Sequence, residues 1–149
     1  MTDIRKTLEM LGKHELSTVE RVLLSSTGTV QTLLSVIHKH PVKVEVISQL
    51  NYDTVMVRWV RLYIETPDPL TVALAESIIP YELNRADFIG KMGDRDIGIG
   101  QALHVLGVNT EREILGIHVD LATIARSYRI RGHGIDILIT ESFQRDGLW

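Results

Sequence analysis

The 149-residue chain contains no cysteine, so it has no disulfide framework to staple its core and no thiolate to hold zinc. That absence fits a reducing compartment. Aromatic residues make up only 5% of the chain, too few for the stacking platform that single-stranded nucleic acid requires. A basic excess is also missing: 16 lysines and arginines against 19 acidic residues leave a net charge of -3 and a pI near 6.0. Phosphate backbones need a concentrated basic face. The densest basic group, Arg126, Arg129 and Arg131, cannot form one stripe, because strand alternation sends Arg126 to the opposite side from the other two. No apolar run approaches the roughly 18 to 20 residues needed to cross a bilayer, and the opening Met-Thr-Asp-Ile-Arg-Lys is not followed by a signal-type apolar core. The expectation is a soluble, cytoplasmic protein without a nucleic-acid or membrane partner. A small anionic ligand suits its charges better.

The 44% hydrophobic content is enough for a sizeable core, and no linker, repeat or low-complexity segment divides the chain, so residues 1–149 are expected to form one domain. The first part reads as helical. Thr2 can cap a segment running to Leu11, Ser17 with Glu20 makes a capping box, and Thr29 can cap a helix carrying Val30, Leu33, Leu34 and Ile37. Strand patterns follow at 42–49, 55–65 and 70–79, the last two joined by Thr66-Pro67-Asp68-Pro69. Residues 83–92 have a helical pattern, and a glycine-rich loop leads to a short helix over 101–106. Strands at 111–120, 124–131 and 135–143 form a meander, its last pair joined by Gly132-His133-Gly134. Helices gathered before and between antiparallel strands predict an α+β domain, a single antiparallel sheet covered by helices on one face.

Two charges fall on the wrong side of this pattern. Met56, Arg58, Val60, Leu62 and Ile64 share one strand face, as do Ile135, Ile137, Ile139, Glu141 and Phe143, so a guanidinium and a carboxylate both point toward the core. An unpaired buried charge costs several kcal/mol or more, so each needs a partner, solvent or a ligand. One reading is a polar ligand held between them. The plainer reading is an ion pair, either Arg58 with Glu141 or Arg58 with Glu76, which alternation groups with Val72, Leu74 and Ile78.

Other motifs carry less chemistry. None of the six histidines sits at a zinc-ligand spacing, and His38 and His40 read as surface imidazoles in a loop, so no metal is expected. Gly93, Gly98 and Gly100 lack the Lys-Ser/Thr ending of a phosphate loop. No Gly-x-Ser-x-Gly elbow is present, which disfavours a serine hydrolase.

In their order and spacing, several pieces resemble the chorismate pyruvate-lyase family. They are Ser26-Thr27-Gly28-Thr29-Val30, Val42-Lys43-Val44-Glu45-Val46, Arg58-Trp59-Val60-Arg61-Leu62, Ala75-Glu76-Ser77-Ile78-Ile79-Pro80, Asp96-Ile97-Gly98 and Leu138-Ile139-Thr140-Glu141-Ser142-Phe143. The resemblance implies release of 4-hydroxybenzoate and pyruvate from chorismate in an enclosed site, without a cofactor. Carried over position by position, it makes Arg58 the clamp on the ring carboxylate and sets Glu141 near the ring hydroxyl. It gives Ile97 a backbone N–H contact to the ligand and puts Thr29 at the start of a flap. Arg61 competes with Arg58 on spacing, but only Arg58 faces inward. A second cation is needed for the enolpyruvyl carboxylate, and Arg126, on a face with Ile124, Tyr128 and Ile130, is the choice. Asp136 stands where the family usually has a proline, which puts the geometry of the last hairpin in question. A different class remains open: the fold also resembles the effector-binding domain of a group of transcription regulators, which sense small metabolites without chemistry.

Overall fold

The computed structural model describes residues 4–148, so the expected cap at Thr2 lies outside the described residues. Helices α1 (Ile4–Leu11), α2 (Thr18–Ser25) and α3 (Val30–His38) precede strands β1 (Val42–Asn51), β2 (Val55–Glu65) and β3 (Pro69–Pro80). Helices α4 (Ala86–Met92) and α5 (Ile99–Val105) lead to β4 (Glu111–Val119), β5 (Thr123–Gly132) and β6 (Ile135–Gln144). The six strands form one antiparallel sheet in the order β1-β2-β3-β6-β5-β4. Two three-stranded meanders thus meet at β3 and β6, which puts the site-bearing strands at the centre. The chain is an α+β protein.

Local chemistry explains most boundaries. Ser17 accepts the Glu20 N–H at 3.1 Å while its own N–H donates to the Glu20 carboxylate at 2.9 Å, the capping box that opens α2. Thr29 takes the N-cap position of α3, but its side chain makes no capping hydrogen bond. Helix α4 starts later than the pattern over 83–92 predicts, because Asn84 is diverted. Its amide donates to the carbonyls of Pro80 and Asp136 at 2.7 and 2.8 Å and accepts the Asp136 N–H at 2.9 Å. That last bond uses an N–H that proline lacks, and the hairpin is regular, with Gly132 opposite Ile135. Gly134 is needed there: its φ is +79°, and an added Cβ would sit 2.6 Å from the Arg85 side chain. Helix α5 begins two residues earlier than expected, with Gly98 as its N-cap. His38 is the last residue of α3 rather than part of a loop, and it is half-buried, with burial and then the charge of His40 lowering its pKa. Its Nε2 has no hydrogen-bond partner among the described residues, whereas His40 is exposed.

The buried face of the sheet is not one continuous core. Leu23, Leu24, Val30 and Leu34 pack on Leu62, Ile64, Val72, Ile124 and Phe143 at one end. Phe88, Met92, Ala102 and Leu103 pack on Met56, Ile79, Ile130, Ile137 and Ile139 at the other. Between the two clusters a row of polar side chains crosses the strands. The opposite face of the sheet is partly open, with Trp59 and Leu74 exposed.

Candidate functional site

The polar row holds Arg58 on β2, Ser77 on β3, Glu141 on β6 and Arg126 on β5, exposed by 1, 4, 8 and 2%. Register aligns them: Arg58 faces Ser77, while two residues along β3 Ala75 faces Glu141, which in turn faces Arg126. With strands about 4.8 Å apart and a two-residue step of about 6.8 Å, the Cα atoms of Arg58 and Glu141 lie roughly 12 Å apart. The central strand presents Ala73, Ala75 and Ser77 to this face, so no bulky side chain stands between the two charges.

Neither pairing proposed from alternation is present for Arg58. A β-bulge at Val72, where Leu62 faces Ala73 and Tyr63 faces Thr71, keeps Val72 and Ala73 both buried. Glu76 lies on the outer face opposite Trp59 and Thr140, away from Arg58. Glu141 pairs instead with Arg126, Nε to Oε1 at 2.8 Å. Arg126 also donates through Nη1 to the carbonyls of Leu24 at 3.0 Å and Ser26 at 2.5 Å, while its buried Nη2 has no partner among the described residues.

Arg58 donates only to neutral groups. Its Nε reaches Gln49 Oε1 at 2.8 Å, Nη1 the Ile97 carbonyl at 2.5 Å, and Nη2 the carbonyls of Asp94 at 3.0 Å and Met92 at 3.4 Å. Among the described residues no carboxylate lies within ion-pair distance of it. Burial lowers its pKa, against the pull of the Asp94 charge, yet a guanidinium keeps its proton in proteins. Two guanidinium groups and one carboxylate therefore leave the row with one excess positive charge.

Ile97 sits in the loop above Arg58. Its carbonyl accepts from the guanidinium and its N–H donates to the Asp94 carbonyl at 3.3 Å, so that N–H is engaged within the loop. Thr29 is exposed. Arg61 lies on the far side of the sheet, paired with Glu45 at 2.6 Å and over the Tyr63 ring at 4.5 Å.

Three residues at the site carry no charge and escaped the reading by charge: Gln49, Ser77 and Tyr128. Tyr128 is buried beside the ion pair, with the Arg126 and Arg112 guanidinium groups 4.8 and 5.3 Å from its ring centroid. Burial first, and the Glu141 charge second, push its phenol pKa up. Its place on one face with Arg126 was the available signal. A cleft of about 580 Å³, lined in part by Thr27, Leu103, His104, Thr110 and Arg112, borders this end of the row. Arg58, Arg126 and Glu141 do not line it, but Thr27 follows the Ser26 carbonyl held by Arg126 and Arg112 covers Tyr128.

Among the described residues no helix is long and apolar enough to cross a membrane, and no group of three or more His, Asp or Glu is placed to hold a metal ion. No protein-family model matches the chain, and no curated protein matches it.

Proposed function

We propose that the chain is a chorismate pyruvate-lyase, acting on a dianionic ring substrate in the seam between its two apolar clusters. The observation that carries this reading is the buried excess of positive charge. Arg58 has no carboxylate partner and Arg126 keeps one buried nitrogen free of hydrogen bonds among the described residues. Burying an uncompensated cation is expensive, and an anionic ligand offsets that cost. A ligand with anionic and hydroxyl groups at opposite ends of a flat ring suits the spacing between Arg58 and Glu141, across the small side chains of β3.

In this reading Arg58 clamps the ring carboxylate, and the free nitrogen of Arg126 meets the enolpyruvyl carboxylate. Glu141, held by Arg126, lies near the ring hydroxyl and accepts or relays the proton. The proton on the ring carbon that bears the hydroxyl is removed. Its electron pair forms the last ring double bond, the neighbouring C–O bond breaks, and the enolpyruvate released takes a proton to become pyruvate. Aromatisation drives the step, so the protein mainly has to exclude water, orient the dianion and handle one proton, and the chemistry calls for no cofactor. Purified protein incubated with chorismate and followed by chromatography should yield 4-hydroxybenzoate. Product should inhibit, because a site under the 92–98 loop must open for release.

A second reading rests on the contacts already made. Glu141 is engaged by Arg126, and every Arg58 bond ends on a neutral group, an arrangement that also serves a domain binding an aromatic acid without converting it. Saturable binding of 4-hydroxybenzoate with no turnover of chorismate would select that reading.

A further inference from the structure

We infer that Gln49 is the positioning residue for Arg58, turned into the seam by a one-residue bulge and holding the guanidinium without neutralising it. The inference rests on the reading that Arg58 receives the ligand's carboxylate. On β1, Val42, Val44 and Val46 face inward opposite Ile64, Leu62 and Val60, and plain alternation would continue with Ser48 inward and Gln49 toward the outer face. The register instead shifts between Val46 and Ser48, with Ile47 as the extra residue. Ser48 then opposes the outward Trp59 and Gln49 opposes Arg58. A single inserted residue brings the amide to the site, which fits the tendency of bulges to re-aim side chains beside functional centres.

Both ends of the amide are used. Its Oε1 accepts from Arg58 Nε at 2.8 Å, and its Nε2 donates to the Met92 carbonyl at 2.7 Å. Reversing the amide would set an NH2 group against a guanidinium N–H, so its orientation is fixed. Arg58 also donates to the Met92, Asp94 and Ile97 carbonyls, which makes its partners among the described residues dipoles rather than counter-ions. Glutamate at position 49 could accept from the guanidinium through the same oxygen, but it would discharge the cation and would lose the donor to the Met92 carbonyl. Glutamine orients the cation and leaves its charge for an incoming carboxylate.

Gln49→Glu, nearly isosteric, is the decisive variant, and Gln49→Leu is its companion. Gln49→Glu should still hold the Arg58 Nε–H yet bind 4-hydroxybenzoate about tenfold more weakly or worse, because the new carboxylate competes for Arg58. Gln49→Leu removes both hydrogen bonds. In ¹⁵N-resolved NMR it should strip the Arg58 Nε–H of its protection from solvent exchange, while Gln49→Glu keeps that protection. Wild-type affinity in Gln49→Glu, or unchanged Nε–H protection in Gln49→Leu, would overturn the inference. Wild-type protein that neither binds 4-hydroxybenzoate nor consumes chorismate would instead overturn the lyase reading, and the Nε–H measurement, which needs no ligand, still decides whether Gln49 holds Arg58.

Discussion

Replacing Glu141 with glutamine separates a chemical role from a structural one. The glutamine oxygen can still accept from Arg126 Nε, so the 2.8 Å hydrogen bond has a partner, but the negative charge is gone. The seam then carries two buried guanidinium groups and no carboxylate. Removing one member of a buried pair costs about 3 to 5 kcal/mol, since the other charge is left uncompensated. For a chain of this size each kcal/mol shifts the melting temperature by about 2 to 4 °C, which predicts a drop of roughly 6 to 20 °C. Circular dichroism melts would measure it, and 4-hydroxybenzoate should recover part of the loss by supplying an anion. A double variant, Arg126→Met with Glu141→Leu, should be more stable than Glu141→Gln, because apolar replacement of both partners removes the stranded charge. Turnover of chorismate by the folded fraction of Glu141→Gln should fall by ~10² to 10⁴, the usual contribution of a positioned acid or base. An unchanged melting temperature would refute the electrostatic reasoning. A large thermal loss with intact turnover would reduce Glu141 to a structural partner of Arg126.

Arg58→Ala should abolish turnover and weaken 4-hydroxybenzoate binding by about 2 to 5 kcal/mol in calorimetry, whereas Arg61→Ala, which loses only a partly exposed pair with Glu45, should change either by under about 1 kcal/mol. Proteolysis should also cut Arg58→Ala faster in the 92–98 loop, since the Asp94 and Ile97 carbonyls lose the guanidinium that ties them to β2. Burial raises the pKa of Glu20, but the Arg145 hydrogen bond and charge, with the Ser17 N–H, hold it below its ordinary value of 4.5. Its contribution to stability is therefore complete above pH 4.5 and fades as pH falls through the lower folded value, so denaturant titrations of wild type and Glu20→Gln should differ at neutral pH and converge in acid. Absorbance titration should leave the Tyr128 phenol un-ionised as pH passes 10.0 in folded protein, and a Tyr128→Phe variant that titrates the same number of tyrosines there as wild type would confirm it.

The sequence by itself determined which residues of β2, β5 and β6 face inward, because alternation is a property of each strand alone where no bulge interrupts it. It therefore placed Arg58, Arg126 and Glu141 in the interior and Arg61 outside, located the capping box at Ser17 and Glu20, and marked the β2-β3 and β5-β6 hairpins by their prolines and glycines. Partners were another matter. Arg58 and Glu141 looked equally available to each other until the order β2-β3-β6-β5 set two strand spacings between them and put Arg126 directly opposite Glu141. The carbonyls that surround Arg58 belong to a loop more than thirty residues away in the chain, and nothing in a carbonyl's sequence context announces where it will point. The bulges were equally hidden. Those at Ile47 and Val72 reverse the phase of β1 and β3, moving Gln49 to the inner face and letting Val72 share it with Ala73, so that Glu76 is left outside. A bulge forms where two strands settle their register against each other, so its position is decided by the pair and not by either strand's own pattern.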